Sequence, residues 1–509
     1  MSKKVTIIIL VILLIGILYR LVLTSNGNFL FNMDNARDMV DIREMVVLQK
    51  LRLTGPTSAI EGLFNGPAWY YLLALPFIFS AGDPYASILL EIALWAIGGF
   101  FLLKLVSRWG SWLIFPVAAI WVSSNYIVLA NLYAFNPNPI VFLTPLLLFL
   151  LVEYLEKRRK TYIIWAWFLA GLFFNLEMNF GIFMPAVIFT SVILTGNAKL
   201  IKQKMFWVGF TAFILTLLPQ VIFDLKHQFI MSKSILRHLS NNPILGLNIS
   251  NSFQEVASSF FNTFSATLMN HKILTWVVLG LSIPVIIGFV KKGKKEPLVL
   301  ICLILIFIPF FSYLILPVSV NAWHLGGEMV ASLVLIAYLL KKLTDGGIFG
   351  KIISVLFWIV IIWFGFSNIA NFFISDFGKP NLDPSLYKNE IAAIDYVYKY
   401  ARGQNFKVYN YLPSVYDYPY QYLFWWYGKK KYGYIPGEYV YSPNKPSYIP
   451  SQDKFQERKD NLSGLVFLIK EPDRIGYRQA WEGDFKDMEF ISKEMVGPIE
   501  VEIRRENRI

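Results

Sequence analysis

The sequence predicts an all-α polytopic membrane domain of about eleven transmembrane helices with outer juxtamembrane helices, followed by a small α/β extracytoplasmic domain. Three observations lead there. Long apolar runs recur between residues 5 and 373 and then stop. The 509 residues are 56% hydrophobic, with a mean hydropathy of +0.50, far more apolar than a water-soluble chain of this length needs to be. Short basic clusters separate the runs, as they do where lysine and arginine mark the cytoplasmic side of a membrane. The composition break places a membrane domain at 1–373 and a water-exposed domain at 374–509.

The first element follows Lys3 and Lys4 as an apolar stretch at 5–23. No small-residue cleavage pattern comes after it, so a retained helix is expected rather than a signal peptide. Further spans are expected at 85–106, 111–130, 138–155, 162–177, 180–196, 205–222, 272–291, 297–317, 327–341 and 351–373. The apolar segment 67–81 is short and carries Pro67 and Pro76, which disfavour a straight crossing. Basic loops at Lys3–Lys4, Lys157–Lys160, Lys199–Lys204, Lys291–Lys295 and Lys341–Lys351 belong on one side, so an even number of crossings must separate consecutive clusters. Counting 67–81 as a crossing breaks that parity, and it is read as an interfacial or re-entrant helix on the outer side. Parity also makes 161–196 a hairpin turning near Glu177–Gly181. The N-terminus is then cytoplasmic, and 24–84, 131–137, 223–271, 318–326 and the tail face outward, as in a multi-pass protein of the cell membrane.

The tail reads as α/β. Tyr387, Ile391, Ile394 and Tyr398 share one helix face; Phe406–Tyr411 and Ile499–Ile503 alternate as half-buried strands do. Leu465–Ile469 is a continuous apolar run between Gly464 and Pro472, which suits a buried strand. The aromatic stretch Tyr416–Tyr434 offers stacking platforms for a sugar, but a core or an interfacial belt is the plainer reading.

The net charge of +13 lies largely in the inter-span clusters, so no nucleic-acid partner is expected. The single cysteine, Cys302, sits inside an apolar run, which excludes a disulfide framework and a thiol metal site. No phosphate-binding loop, dinucleotide fingerprint or serine nucleophile elbow is present.

Chemistry-bearing residues collect on the expected outer side. Asp34, Asp38 and Asp41 fall at i, i+4 and i+7, where carboxylates can deprotonate a hydroxyl or hold a divalent cation. The alternative is a solvated amphipathic helix with Asp34 as its N-cap. Glu177, at a buried hairpin tip, is a functional candidate because ionisable groups are costly there. Arg37, Lys226 and His227 can meet a lipid phosphate, or anchor helix ends among headgroups. Asn65, Gly66 and Pro67 permit close backbone approach to a ligand, or merely punctuate a loop. His227 and His324 lack a metal-ligand partner at suitable spacing. Asn248-Ile-Ser and Asn461-Leu-Ser match glycosylation sequons.

A short first helix, the loop Asp34-Asn-Ala-Arg37-Asp38, and Phe64-Asn-Gly-Pro67 opening an interfacial helix together resemble the integral-membrane glycosyltransferases of the GT-C type. The likeness is greatest to the branch with aminoarabinose transferases and protein O-mannosyltransferases, and it covers roughly residues 5–230. Phe223-Asp224-Leu-Lys226-His227 is similar to the segment closing the seventh helix in bacterial and archaeal members. The resemblance implies an inverting enzyme that moves a sugar from a polyprenyl-phosphate donor to a hydroxyl of a lipid, glycan or protein. It implies Asp34 as base, Asp38 and Glu177 as acceptor-orienting or metal-binding groups, and no certain cofactor, with a divalent cation left open. Aminoarabinose transferases carry Glu-Lys-Pro where this chain has Asn65-Gly66-Pro67, so the donor phosphate must be met elsewhere, by Arg37, Lys226 or His227. Trp425-Trp426-Tyr427 lacks the aspartate of the oligosaccharyltransferase motif. Rival readings are a transporter or lipid flippase, and a non-catalytic sugar-binding membrane subunit. A transporter calls for mid-span charges and paired broken helices, and Glu91 is the main such charge.

Overall fold

The computed structural model describes residues 2–241, 249–291, 296–316, 318–373, 383–443, 448–455 and 462–506. Both sequons, through Asn248 and Asn461, and most of the Lys291–Lys295 cluster lie outside the described residues, as does the start of the expected tail domain at 374. The chain separates into two compact units: a membrane unit of Met1–Leu21, Arg52–Leu72 and Leu89–Asn371, and a second unit of Val22–Leu51, Leu73–Ile88 and Phe372–Ile509.

The helices follow the apolar runs. In chain order they are α1 (Lys3–Thr24), α2 (Met33–Val47), α3 (Ala68–Ser80), α4 (Tyr85–Val106), α5 (Ile114–Ser123), α6 (Asn125–Leu129), α7 (Asn138–Lys157), α8 (Tyr162–Leu176), α9 (Met178–Gly181) and α10 (Met184–Leu194). There follow α11 (Lys204–Lys226), α12 (Ile230–Asn241), α13 (Ile249–Thr267), α14 (Lys272–Lys291), α15 (Pro297–Tyr313), α16 (Gly326–Asp345) and α17 (Ile348–Asn371). Among the described residues, seven helical stretches are long and apolar enough to cross a membrane: Lys3–Gly27, Tyr85–Trp109, Asn138–Lys157, Lys204–Lys226, Lys272–Lys291, Ala322–Asp345 and Ile348–Asn371. The four other expected spans coincide with the shorter apolar helices Ser111–Ser123, Tyr162–Leu176, Met178–Leu194 and Pro297–Tyr313, and 67–81 with the Pro76-containing α3. The chain is a multi-pass membrane protein.

In the membrane unit α7 and α16 are buried along most of their length, whereas α14 and α17 expose apolar side chains such as Trp276, Trp363 and Phe366. Such outward faces suit hydrocarbon, which a helix tolerates because its backbone bonds are internal. Arg20 of α1 is fully buried and is held by polar groups of neighbouring segments. Its Nε donates to Asn131 Oδ1 at 2.6 Å, its guanidinium lies 3.7 Å over the Trp95 ring, and Asn131 Nδ2 donates to the Glu91 carbonyl at 3.1 Å. Gly16, one turn earlier, admits that indole: a Cβ there would fall 2.2 Å from Trp95.

Among its described residues the second unit holds α2, α18 (Tyr387–Ala401), α19 (Tyr418–Leu423), α20 (Lys429–Tyr432), α21 (Arg478–Glu482) and five strands: β1 (Asn405–Tyr411), β2 (Glu438–Val440), β3 (Leu462–Lys470), β4 (Glu489–Val496) and β5 (Ile499–Arg505). The sheet order is β2-β1-β3-β5-β4. β1 pairs in parallel with β2 and β3, and β5 is antiparallel to β3 and β4. β3 is the middle strand, with Val466 through Ile469 fully buried, which explains why it reads as an unbroken apolar run. Tyr409, Tyr411, Val466, Leu468, Trp481 and Phe485 form one core cluster. The aromatic stretch running through and beyond α19 is core as well, with Tyr420, Tyr422, Phe424 and Trp426 buried. Tyr422 Oη donates to the Gly82 carbonyl at 2.5 Å and Trp426 Nε1 to that of Ala81 at 2.9 Å.

Candidate functional site

In the second unit, α2 begins at a cap made by two asparagines. Asn32 Oδ1 accepts from the N–H of Asp34 at 3.0 Å and of Asn35 at 3.3 Å, while Asn35 Oδ1 accepts from the N–H of Asn32 at 3.2 Å. This reciprocal arrangement satisfies the open donors of the first turn. The cap is therefore Asn32, not Asp34, and the Asp34 carboxylate is left for other work. Arg37 Nη1 reaches Asp34 Oδ1 at 3.0 Å, and Arg37 Nη2 and Nε reach Asp38 Oδ1 at 2.9 and 3.1 Å. The Asp38 side chain is 1% exposed and that of Asp34 37%. A buried acid thus anchors a guanidinium, which in turn fixes an accessible carboxylate.

The same helix buries Arg43, whose guanidinium lies 3.8 Å from the Phe455 ring and 5.2 Å from Trp425. None of its three nitrogens has a hydrogen-bond partner among the described residues, and burial lowers its pKa from the usual arginine value. Sequence reasoning missed this residue; six positions after Arg37 it carries no local mark of burial.

In the membrane unit, Asn65, Gly66 and Glu177 are brought together. The loop before α3 closes on itself through Gly55 N–H to the Asn65 carbonyl at 2.8 Å and Asn65 N–H to the Pro56 carbonyl at 2.9 Å. Asn65 Oδ1 accepts from the N–H of Met178 at 3.2 Å, in the turn between α8 and α9. Gly66 abuts α8 so closely that a Cβ would fall 2.0 Å from Asn175 Oδ1. Pro67 follows at the entrance to α3. In the turn itself Glu177 is extended and buried, accepting from Asn179 N–H at 3.1 Å and Nδ2 at 2.9 Å. Asn179 Nδ2 also lies 3.3 Å from His324 Nε2, and Tyr313 Oη donates to the Asn179 carbonyl at 2.9 Å. One asparagine thereby joins a buried carboxylate, an imidazole and a phenol.

Lys226 and His227 end α11 and are exposed. The His227 ring stacks 4.0 Å from Phe223, which packs edge-on to Phe64. Asp224 takes a structural part, accepting from Met231 N–H at 2.7 Å and Ser232 Oγ at 2.6 Å at the start of α12. Glu328, four residues after His324, is also buried and was missed by sequence reasoning; a lone acid inside the apolar run of α16 was the available signal.

Among the described residues one group of three carboxylates, Glu482, Glu500 and Glu502, has metal-ligand spacing. Lys470 Nζ already sits among them, 2.8 Å from Glu482, 2.9 Å from Glu500 and bonded to Glu502. This set fits an ion-pair network rather than a cation site, and Arg37 similarly occupies the space between Asp34 and Asp38.

No protein-family model and no curated protein matches the chain. Solved structures do. ArnT from Cupriavidus metallidurans bound to undecaprenyl phosphate has a TM-score of 0.62 at 10% identity, over 99% of this chain and 98% of that one. The same protein in the apo state gives 0.61 at 10% identity, over 98% of each chain. An Archaeoglobus fulgidus oligosaccharyltransferase in complex with Zn and sulfate gives 0.52 at 12% identity, over 96% of this chain and 72% of that one. The fold shared with these structures is the one expected from the sequence, a polytopic helical domain with a small α/β domain.

Proposed function

We propose that this chain is a membrane glycosyltransferase that moves a sugar from a polyprenyl-phosphate donor to an acceptor hydroxyl at the outer face of the membrane, with inversion. The Asp34–Arg37–Asp38 cluster carries the reading: an accessible carboxylate, fixed by a guanidinium on a buried acid, right after the first membrane helix. The likeness of fold to ArnT, whose structure holds undecaprenyl phosphate, supports the donor class.

Asp34 accepts the proton of the acceptor hydroxyl as that oxygen attacks the anomeric carbon. The bond from that carbon to the phosphate oxygen breaks on the opposite side, and the polyprenyl phosphate leaves with the electron pair. Positive groups lower the cost of the charge gathering on that phosphate. Arg37 is the first candidate, with Lys226 and His227 of the membrane unit as the others. Asp38 holds Arg37, while Glu177 orients the acceptor through the turn it shares with Asn65, Gly66 and Pro67. A divalent cation, if used, would need carboxylates other than those already closed around Lys470.

The test is reconstituted protein with a labelled polyprenyl-phosphate sugar. Turnover of the donor supports the enzyme; donor movement without turnover would make it a flippase, and binding alone a sugar-binding subunit. Asp34→Asn should abolish transfer while leaving the protein in the membrane at its normal level, and undiminished transfer removes Asp34 from the reaction.

A further inference from the structure

The membrane unit contains a cavity of about 400 Å³ between α13, α14, α15 and α16, within the roughly 300–1,000 Å³ range of small-ligand sites. Its walls are aromatic and aliphatic, with Phe260, Phe264, Trp276 and Phe310 among them. Trp276 is 64% exposed on the outward face of α14, so the cavity has an edge on the apolar exterior of the unit. Thr263, Ser282, Glu328 and Ser332 are the residues with hydroxyl or carboxyl side chains in its lining. Ser282 and Ser332 are satisfied by their own helices, donating to the carbonyls of Val278 at 2.7 Å and Glu328 at 2.9 Å. The other two are not. Among the described residues, and apart from its own backbone N–H, Glu328 offers both carboxylate oxygens to nothing, and Thr263 Oγ1 also lacks a partner. Their residues are 3% and 4% exposed.

Buried polar atoms are nearly always hydrogen-bonded, because an unmet one costs about 1–3 kcal/mol. Two such groups in one otherwise apolar cavity point to a ligand that meets them. The walls call for a hydrocarbon chain, and the edge on the apolar exterior lets it come from the bilayer. Glu328 calls for a donor. Thr263 both donates and accepts; a hydroxyl head can match either group, whereas an ammonium only donates.

We propose that this cavity binds a membrane amphiphile with a single hydrocarbon chain and a hydroxyl head, which donates its hydrogen bond to Glu328. The site rests on the groups of the cavity and stands whether or not the chain transfers sugar. The occupant has two possible sources, a resident lipid or the acceptor of the transfer proposed above.

The probe is hexadecanol with a diazirine in its chain, compared with its methyl ether, each in nanodiscs holding the full-length protein. Cross-links are mapped by peptide mass spectrometry. The alcohol should label α13 to α16 about tenfold more than the ether, the difference one buried hydrogen bond to an acid makes. Both probes should label the outward face of α17, at Trp363 and Phe366, equally. Glu328→Leu should bring the ratio at the cavity close to one, and Ser332→Trp should remove cavity labelling by either probe. Thr263→Val, a smaller change, serves if Glu328→Leu does not fold, and should lower the ratio about threefold. Equal labelling of the wild-type cavity by alcohol and ether overturns the proposal, as does a preference that survives Glu328→Leu. With the polyprenyl-phosphate sugar added, glycosylation of the bound alcohol assigns the cavity to the acceptor. Labelling without conversion assigns it to a resident lipid, and either result upholds the site.

Discussion

Two buried sites, one in each unit, treat charge in opposite ways. At the end of β3, Lys470 is 2% exposed and meets three carboxylates, with Arg478 and Arg504 closing the network around Glu482, Glu500 and Glu502. In the membrane unit, Glu328 is 3% exposed and has no cation, and Glu177 has only an asparagine. Desolvating a charge is expensive unless partners compensate it. The first arrangement is therefore structural. The second leaves acids whose cost the fold does not recover, which is the mark expected of groups kept for a ligand.

The Asp34–Arg37–Asp38 cluster combines the two patterns, with one acid buried and one accessible, and it gives the largest expected effect. Asp34→Asn should lower transfer by about 10²–10⁴-fold, the usual worth of a positioned base, while a thermal melt in detergent stays close to wild type. A melt that collapses along with activity would put Asp34 in the structural class. Lys470→Met should destabilise the second unit by roughly 3–5 kcal/mol, since three carboxylates lose their shared cation; chemical denaturation followed by tryptophan fluorescence reads this directly.

A pH series sharpens the contrast inside the second unit. Burial pushes Glu471, near Tyr420, up to about 7 and Asp417 up to about 6, and it raises Glu390 well above the usual carboxylate range. A carboxyl with a raised folded-state pKa binds its proton more tightly in the native protein. Its stabilising share is therefore present at low pH and is lost as the pH climbs from the unfolded value toward the folded one. Stability should fall between about pH 4 and 7, with Glu471 contributing on the order of 3 kcal/mol. Glu471→Gln should flatten part of the slope, and an unchanged slope would assign the fall to other groups. The smallest effect is expected at Glu328. Glu328→Leu should leave the melting temperature unchanged or raise it by an amount worth about 1–2 kcal/mol, where Lys470→Met lowers it. A large loss at Glu328 would erase the distinction between the two sites.

Much of this was legible in the sequence because the governing rules are local. Twenty or so apolar residues specify a spanning helix whatever surrounds them, and every expected span coincides with a helix. Period-two and continuous apolar patterns located β1, β3 and β5, since each pattern records how many faces of a strand are covered. The spacing of Asp34, Arg37 and Asp38 placed them within one helical turn of each other. Even there the sequence misled at one point: Asp34 stands where a cap is common, but the asparagine pair at 32 and 35 took that role.

What the residues alone determined is which segments form apolar helices, because hydrophobicity acts on each segment regardless of its neighbours. Which charges are sealed away, and whether anything answers them, came only from packing. Lys470, Arg43, Glu328 and Glu390 each stand next to an apolar residue in the sequence, yet one sits among acids, one between aromatic rings and two without a counter-charge among the described residues. Those outcomes depend on segments tens to hundreds of positions away. The free energy of a buried ion is set by the atoms within a few ångströms of it, and only the folded chain determines which atoms those are.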